Sequence, residues 1–296
     1  MQNAGIDLEC AADVIYQRLM RGRLPLSVAI VTFNEETRLP RCLNSISDLA
    51  SEVVIVDSGS TDETGSVARA NGARFIVHPW EGHVAQKNIA WTSCSQPWVL
   101  ALDADEVVSP ELAESIRALF SHGMPQADGY SINRRTYYLG RWIKHTWHPE
   151  WRLRLARRDK ARWVGLDPHD RLEVTGTTAR LKGDLLHYSY RNLADHFGRT
   201  VRYAAISATT MDSAGKRCQW YHIVISPWMA LIKRLVLKQG FRDGLRGWII
   251  AYTAFFGVLA KYATLFEQQQ RLSSAESALA PGSMFGDSGS DEEHRP

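Results

Sequence analysis

Neither a GxGxxG run nor a GxxxxGK[ST] run occurs in the chain, which excludes a dinucleotide fingerprint and a P-loop phosphate cradle. Any nucleotide phosphate would need another holder. Cysteine is scarce, with only Cys10, Cys42, Cys94 and Cys218 in 296 residues and no CxxC pair. Such spacing offers neither a zinc framework nor a disulfide framework and suits reduced cytosolic thiols. Net charge is small as well: +3, from 35 Lys+Arg against 32 Asp+Glu, argues for no nucleic-acid partner by itself. Long apolar runs are also missing. The N-terminus, MQNAGIDLECAADVIYQRLMRGRLP, has no continuous apolar region of the secretory kind. The longest uncharged stretch near the other end, residues 247–260, falls short of the roughly 20 residues that a spanning helix needs. Neither export nor a transmembrane pass is expected, and the chain should be cytoplasmic.

An apolar fraction of 45% is enough for a sizeable core. Four short runs rich in β-branched residues, 26–33, 52–57, 74–78 and 98–103, read as strands. Between them Leu39, Leu43 and Ile46 share a helical face, while Ser60 and Glu63 form a capping box for a helix closing at Asn71-Gly72. Ser109, with Pro110 next, caps a helix carrying Leu112, Ile116 and Leu119. Alternation of this kind implies βαβ units around a parallel sheet. From Asp128 to Tyr190 short strands and turns suggest an antiparallel extension. The expected boundaries are an N-terminal extension over 1–24, an α/β domain over 25–192, a helical region over 193–266 and a disordered tail over 267–296.

Ligands of an open parallel sheet bind beyond the carboxyl ends of its strands. Those ends are polar here: Thr32, Asn34 and Glu35 after the first, Asp57 and Ser58 after the second, Asp103 and Asp105 after the fourth. Asp57 could accept hydrogen bonds from a ribose or base where Gly59 turns the backbone; alternatively the loop is only a cap for the next helix. In LALDADE, carboxylates gathered after an apolar strand need a compensating cation, and oxygen ligands select Mg²⁺ or Mn²⁺ able to grip a diphosphate. The plainer alternative is an acidic turn before the Ser109 helix.

With TFNEE, VVIVDSGSTDET, AQKNIA and LALDADEVVSPEL in order, the chain resembles a family 2 glycosyltransferase of the GT-A fold. GYSINRRTYYLGRWIKH, LRLARR, HDRLEV and LKGDLLHYSYR extend the likeness toward bacterial lipopolysaccharide inner-core glucosyltransferases, over roughly 25–266. The resemblance implies an α/β fold, a GT-A Rossmann-like mixed sheet with helices on both faces plus a C-terminal helical region. It implies an inverting transfer from a nucleotide-sugar donor, with a UDP-sugar the first choice, to a lipopolysaccharide-core or lipid-linked saccharide acceptor. By position, Thr32, Asn34 and Glu35 match the first nucleotide loop, Asp57 and Ser58 the base and ribose contact, Lys87 a cation near the donor, and Asp103 and Asp105 the metal motif. The second Asp of that motif is the more usual direct ligand. The general base falls on Asp170, although this chain has His169-Asp170 where the closest relatives would carry His-Glu; Asp167 is the alternative. His187 is either a third metal ligand or a structural histidine against Tyr188, and Lys87 either approaches the donor or sits on a solvated helix face.

Between Arg134 and Arg162 ten bases face only Glu150 and Asp159, interleaved with Trp142, Trp147 and Trp151. This reads as a patch for a phosphorylated saccharide or a membrane; nucleic acid has no recognition motif to support it. The aromatic and basic mixture over 220–266 suits helices at an anionic bilayer interface, peripheral on the cytoplasmic face of the inner membrane, or else a subdomain packed on the sheet. Two other functions stay open: a nucleotide-binding module without catalysis, and a phosphatase with an aspartyl nucleophile, whose D-x-D would belong on a first strand.

Overall fold

The computed structural model describes residues 22–121, 123–165 and 170–279, with side chains through 271. Four parallel strands, β1 (Leu24–Thr32), β2 (Ala50–Asp57), β3 (Arg74–Val77) and β4 (Trp98–Asp103), run in the order β3-β2-β1-β4. These are the four runs marked by the sequence. Their continuous apolar character follows from burial on both faces: Val28, Ile30, Ile55 and Leu100 enter one core cluster, while Ala29, Val54, Val56 and Val99 enter a second. Helices α1 (Leu39–Asn44), α2 (Thr64–Ala70) and α4 (Pro110–Ser121) add Leu39, Leu43, Ala68, Leu112 and Ile116 to the first cluster. Helix α3 (His83–Ser93) adds Ala90 and Trp91 to the second.

Ser109 caps α4 as its position predicts, its Oγ accepting from Leu112 N at 3.2 Å. The capping box expected at Ser60 does not form. Helix α2 starts after Glu63, which makes no side-chain cap, because the Ser60 hydroxyl donates to Asp57 Oδ2 at 2.5 Å and accepts from Asn34 N at 2.7 Å.

Beyond β4 come β5 (Glu106–Val108), β6 (Gly129–Tyr138), β7 (Arg141–Trp142), β8 (Glu150–Arg157), β9 (Ala161–Val164), β10 (Arg171–Val174) and β11 (Thr178–His187). The main sheet continues β4-β8-β6-β11-β5, with β7 on β6, while β9 and β10 pair separately. Strand β8 is antiparallel to both β4 and β6, but β11 runs parallel to β6, so the expected antiparallel extension is a mixed one. Register sets His187 opposite Glu106 on β5 and opposite Thr136 on β6.

The chain divides into two compact units, one of residues to His196 with Arg234–Ile250, the other of Phe197–Lys233 with the residues from Ala251 onward. Within the first, Asp243 accepts from the backbone N–H groups of Lys144, His145 and Thr146 at 2.9 to 3.2 Å, and Arg246 Nε donates to Leu139 O at 2.8 Å. The second holds most of α5 (Leu193–Ser213), then α6 (Trp220–Val224), α7 (Ser226–Ile232) and the greater part of α8 (Leu245–Leu279). Helix α8 runs past Phe266 into the segment expected to be disordered. Its stretch Leu245–Arg271, 27 residues, is long and apolar enough to cross a membrane by length and composition alone, a longer span than the uncharged stretch 247–260 indicates.

A break in the β6/β11 register lies between Arg180 and Asp184 and contains Gly183, at φ +88°. A Cβ there would lie 2.3 Å from Leu112 N on α4. Gly183→Ala is expected to destabilise the fold by about 1–3 kcal/mol through overpacking and a left-handed backbone, read as a lowered urea midpoint with little change in slope.

Candidate active site

The loops after β1 and β2 are stitched together before any ligand is considered. Thr61 N donates to Asn34 Oδ1 at 2.9 Å, Glu35 N to Thr64 Oγ1 at 2.8 Å, and Asn34 takes a left-handed backbone at φ +55°. Asp57 is buried beneath this seam. One of its oxygens accepts from Gly59 N and Ser60 N, the other from the Thr32 and Ser60 hydroxyls. A carboxylate has about four lone-pair sites, and all are occupied. Asp57 therefore builds the loop, and a base or ribose would meet the loop's outer atoms. Ser58 Oγ accepts from the buried Gln86 Nε2 at 2.9 Å, tying α3 to the same seam.

The three carboxylates of DADE have different tasks. Glu106 is fully buried and accepts from Asp103 N at 2.9 Å, from Arg154 Nη2 at 2.7 Å and from Arg134 Nη1 at 3.5 Å. It is an anchor rather than the start of a turn. Asp103 lies between Lys87 Nζ at 3.2 Å and Arg154 Nη2 at 2.8 Å. Burial pushes its carboxyl up, but Lys87, Arg154 and Arg134 outweigh that and hold it well below the usual range. Asp105 faces His187 Nε2 and an Arg38 nitrogen, each at 3.5 Å. Burial again opposes ionisation, and His187 with Arg38 brings the carboxyl below its ordinary value.

Lys87 does not lie on a solvated face. Its Nζ is 2.7 Å from Asp170 Oδ2 and 4.5 Å from the Trp163 ring centroid, so one ammonium joins Asp103 to Asp170 over an aromatic floor. Asp167 and His169 lie outside the described residues. Glu35 pairs with Arg38 at 2.7 Å, and burial raises its carboxyl. The site thus gathers Lys87, Asp103, Asp105, Asp170 and His187, with Thr32, Asn34, Asp57 and Ser58 in the adjoining loop seam.

Arg38, Arg134 and Arg154 were not singled out for this site from sequence. Arg154 falls within the basic run 134–162 read as a ligand patch, yet its side chain is 5% exposed. Part of that run is paired: Arg134 makes two 2.9 Å bonds to Glu150, Arg152 also binds Glu150, Arg157 binds Asp159 and Lys160 binds Asp128. No sequence signal separates Arg154 from Arg152: the β6/β8 register breaks between Leu153 and Leu155, and that irregularity sets Arg154 apart.

Among the described residues no three His, Cys, Asp or Glu side chains form a ready metal cage. A pair does fit: Asp105 Oδ1 and His187 Nε2 are 3.5 Å apart, near the roughly 3 Å between adjacent ligands of a six-coordinate ion. Neutral imidazole with carboxylate suits Mn²⁺ and tolerates Mg²⁺. Asp103, engaged by two cations, is the poorer donor.

Arg134 and Arg152 overcome burial at Glu150 and lower its carboxyl from 4.5 to about 2. A depressed acid contributes stability above its unfolded value, lost as pH falls through the folded one. The wild type is therefore expected to lose stability between about pH 4.5 and 2, and Glu150→Gln to flatten that part of a plot of urea midpoint against pH.

The family described as glycosyl transferase family 2 matches residues 27–177. The chain is 32% identical over 262 residues to the lipopolysaccharide core biosynthesis glycosyltransferase LpsC of Rhizobium meliloti (strain 1021), covering 84% of this chain and 93% of that one. It is 29% identical over 251 residues to the uncharacterized glycosyltransferase RP128 of Rickettsia prowazekii (strain Madrid E), covering 81% and 86%. Among solved structures, the mannosyltransferase PcManGT from Pyrobaculum calidifontis in complex with GDP-Man and Mn²⁺ is similar at a TM-score of 0.48 and 17% identity, over 88% of this chain and 96% of that one. With the family match running from β1 to the approach of β11, and a relative 32% identical over most of both chains, the chain belongs to glycosyl transferase family 2 and is a glycosyltransferase.

Proposed function

We propose that the enzyme moves a sugar from a nucleotide-sugar donor to a hydroxyl of a lipopolysaccharide-core or other lipid-linked saccharide, inverting the anomeric carbon. One observation carries the reading: Asp103 and Asp170, sixty-seven residues apart in sequence, share the Lys87 ammonium beside the Asp105–His187 pair. The similarity to LpsC, a glycosyltransferase of lipopolysaccharide core biosynthesis, supports the acceptor class.

The loop seam of Thr32, Asn34, Glu35 and Ser58 receives the nucleotide, with Asp57 holding its shape from below. Asp105 and His187 would hold a Mg²⁺ or Mn²⁺ ion, which supplies Lewis-acid neutralisation of the leaving diphosphate worth several kcal/mol. Asp103 stays with Lys87 and Arg154 and fixes the strand end. Asp170 takes the proton of the acceptor hydroxyl as its oxygen bonds to the anomeric carbon. The bond from that carbon to the diphosphate breaks on the opposite side, carrying its electron pair away. Lys87 orients the Asp170 carboxylate and is a positioning residue in this scheme. An aspartyl phosphatase is disfavoured because D-x-D ends the fourth strand, not the first.

A screen of UDP- and GDP-sugars is expected to raise the melting temperature only with Mn²⁺ or Mg²⁺ present, and Asp105→Ala to remove that dependence. Asp170→Asn should keep donor binding and lose about 10²–10⁴ in turnover. Donor binding unaffected by chelator, or full turnover in the Asp170 variant, would overturn the scheme. A non-catalytic module predicts nucleotide binding with no turnover in the wild type as in the variant.

The second unit supports a peripheral membrane location. Trp220, Val224, Trp228 and Met229 are more than half exposed, and Lys216, Arg217 and Lys233 are exposed in the same unit. Aromatic rings with nearby bases suit the headgroup layer of an anionic leaflet. Sedimentation with phosphatidylglycerol vesicles is expected to carry the protein down, less so at high salt and less for Trp228→Ser; equal partition with neutral vesicles would argue against it.

A further inference from the structure

A cavity of about 310 Å³ in the first unit opens beside His187. Resting on the glycosyl-transfer reading, we infer that it is an acceptor subsite for an anionic sugar, one carrying a phosphate or a carboxylate. Arg134, Thr146, Trp147, His187, Arg234 and Lys238 line it.

Its charge is unbalanced. Glu150 also lines the cavity but is taken up by Arg134 and Arg152. Arg234 donates to Thr146 O at 3.2 Å and, like the exposed Lys238, meets no carboxylate in an ion pair among the described residues. Burial without such a partner pulls the Arg234 guanidinium below its ordinary value. Two cations outside any ion pair among the described residues, with Glu150 acting on Arg234 only at a distance, therefore border a space large enough for a sugar ring.

Thr146 adds the second sign of a ligand. It is 1% exposed, and its Oγ1 has no hydrogen-bond partner. A buried hydroxyl without a partner is costly, and an arriving anionic oxygen would accept its hydrogen bond. Trp147 supplies an aromatic wall of the kind that stacks on a sugar face.

The walls are built rather than incidental. Asp243 fixes the three backbone N–H groups that precede Trp147, and a Cβ on Gly240 would lie 2.5 Å from Arg234 O and 3.2 Å from Thr146 Cβ. The segment bearing Arg234 is thereby held against the loop bearing Thr146. Position assigns the cavity to the acceptor. None of Thr32, Asn34, Asp57 or Asp103 lines it, whereas His187 lies between it and Asp105.

The test titrates the full chain, with UDP and Mn²⁺ present, with glucose 6-phosphate, glucuronate and glucose as probes. One or both anionic sugars should bind at least tenfold more tightly than glucose, the two arms separating phosphate from carboxylate. Arg234→Gln and the exposed Lys238→Gln should each weaken that binding several-fold or more, and Thr146→Val, which removes only the hydroxyl, should weaken it measurably. Affinity for UDP should stay unchanged in all three. Equal binding of glucose, binding of no probe, or loss of UDP in place of sugar would overturn the subsite. Retained anionic-sugar binding with no metal-dependent nucleotide binding would sustain the subsite and sink the nucleotide-sugar reading instead.

Discussion

Three carboxylates at the end of one buried strand cannot all stay ionised unless the rest of the sheet answers them with cations. The fold does so from four directions, Arg154 on β8, Arg134 on β6, Lys87 on α3 and Arg38 at the entry to α1, while His187 on β11 faces Asp105. Sheet order serves this constraint. Strand β8 lies beside β4 with Leu100 opposite Leu155, which points Arg154 toward the carboxyl end of β4. Strand β11 lies between β6 and β5, which delivers His187 opposite Glu106.

Compensation is uneven, and the unevenness separates structural acids from working ones. Glu106 is sealed at 0% exposure; Asp103 is gripped at 2.8 and 3.2 Å; Asp105 has only contacts of 3.5 Å. A carboxylate held by long contacts exchanges partners at least cost, so Asp105 is the one suited to an incoming cation. Asp57 belongs with the structural acids, since its saturated oxygens preorganise a loop.

The strands and the strand-end acids were legible because burial on both faces writes itself as unbroken Val, Ile and Leu runs, and because a polar break after such a run marks a sheet edge. The cations were not. In EWRLRLAR, Arg152 and Arg154 share a parity, and sequence cannot tell which meets solvent and which meets Asp103 and Glu106. Ser60 misled for a related reason: a local capping box competes with a buried carboxylate three residues earlier, and the carboxylate wins. The reach of α8 was also hidden, because Lys261 interrupts an apolar count without interrupting a helix.

His187 links the two halves of the proposed chemistry. Its Nε2 faces Asp105, while its Nδ1 lies 3.5 Å from the Thr136 hydroxyl. An imidazole that ligates through one nitrogen carries its proton on the other, and the partner of that proton sets the ring's orientation. Thr136 also lines the cavity that holds Arg234 and Lys238. His187 lines the same cavity, so on the proposed scheme an acceptor there would border both the imidazole that faces Asp105 and the hydroxyl beside its other nitrogen, which would couple acceptor occupancy to donor-side geometry.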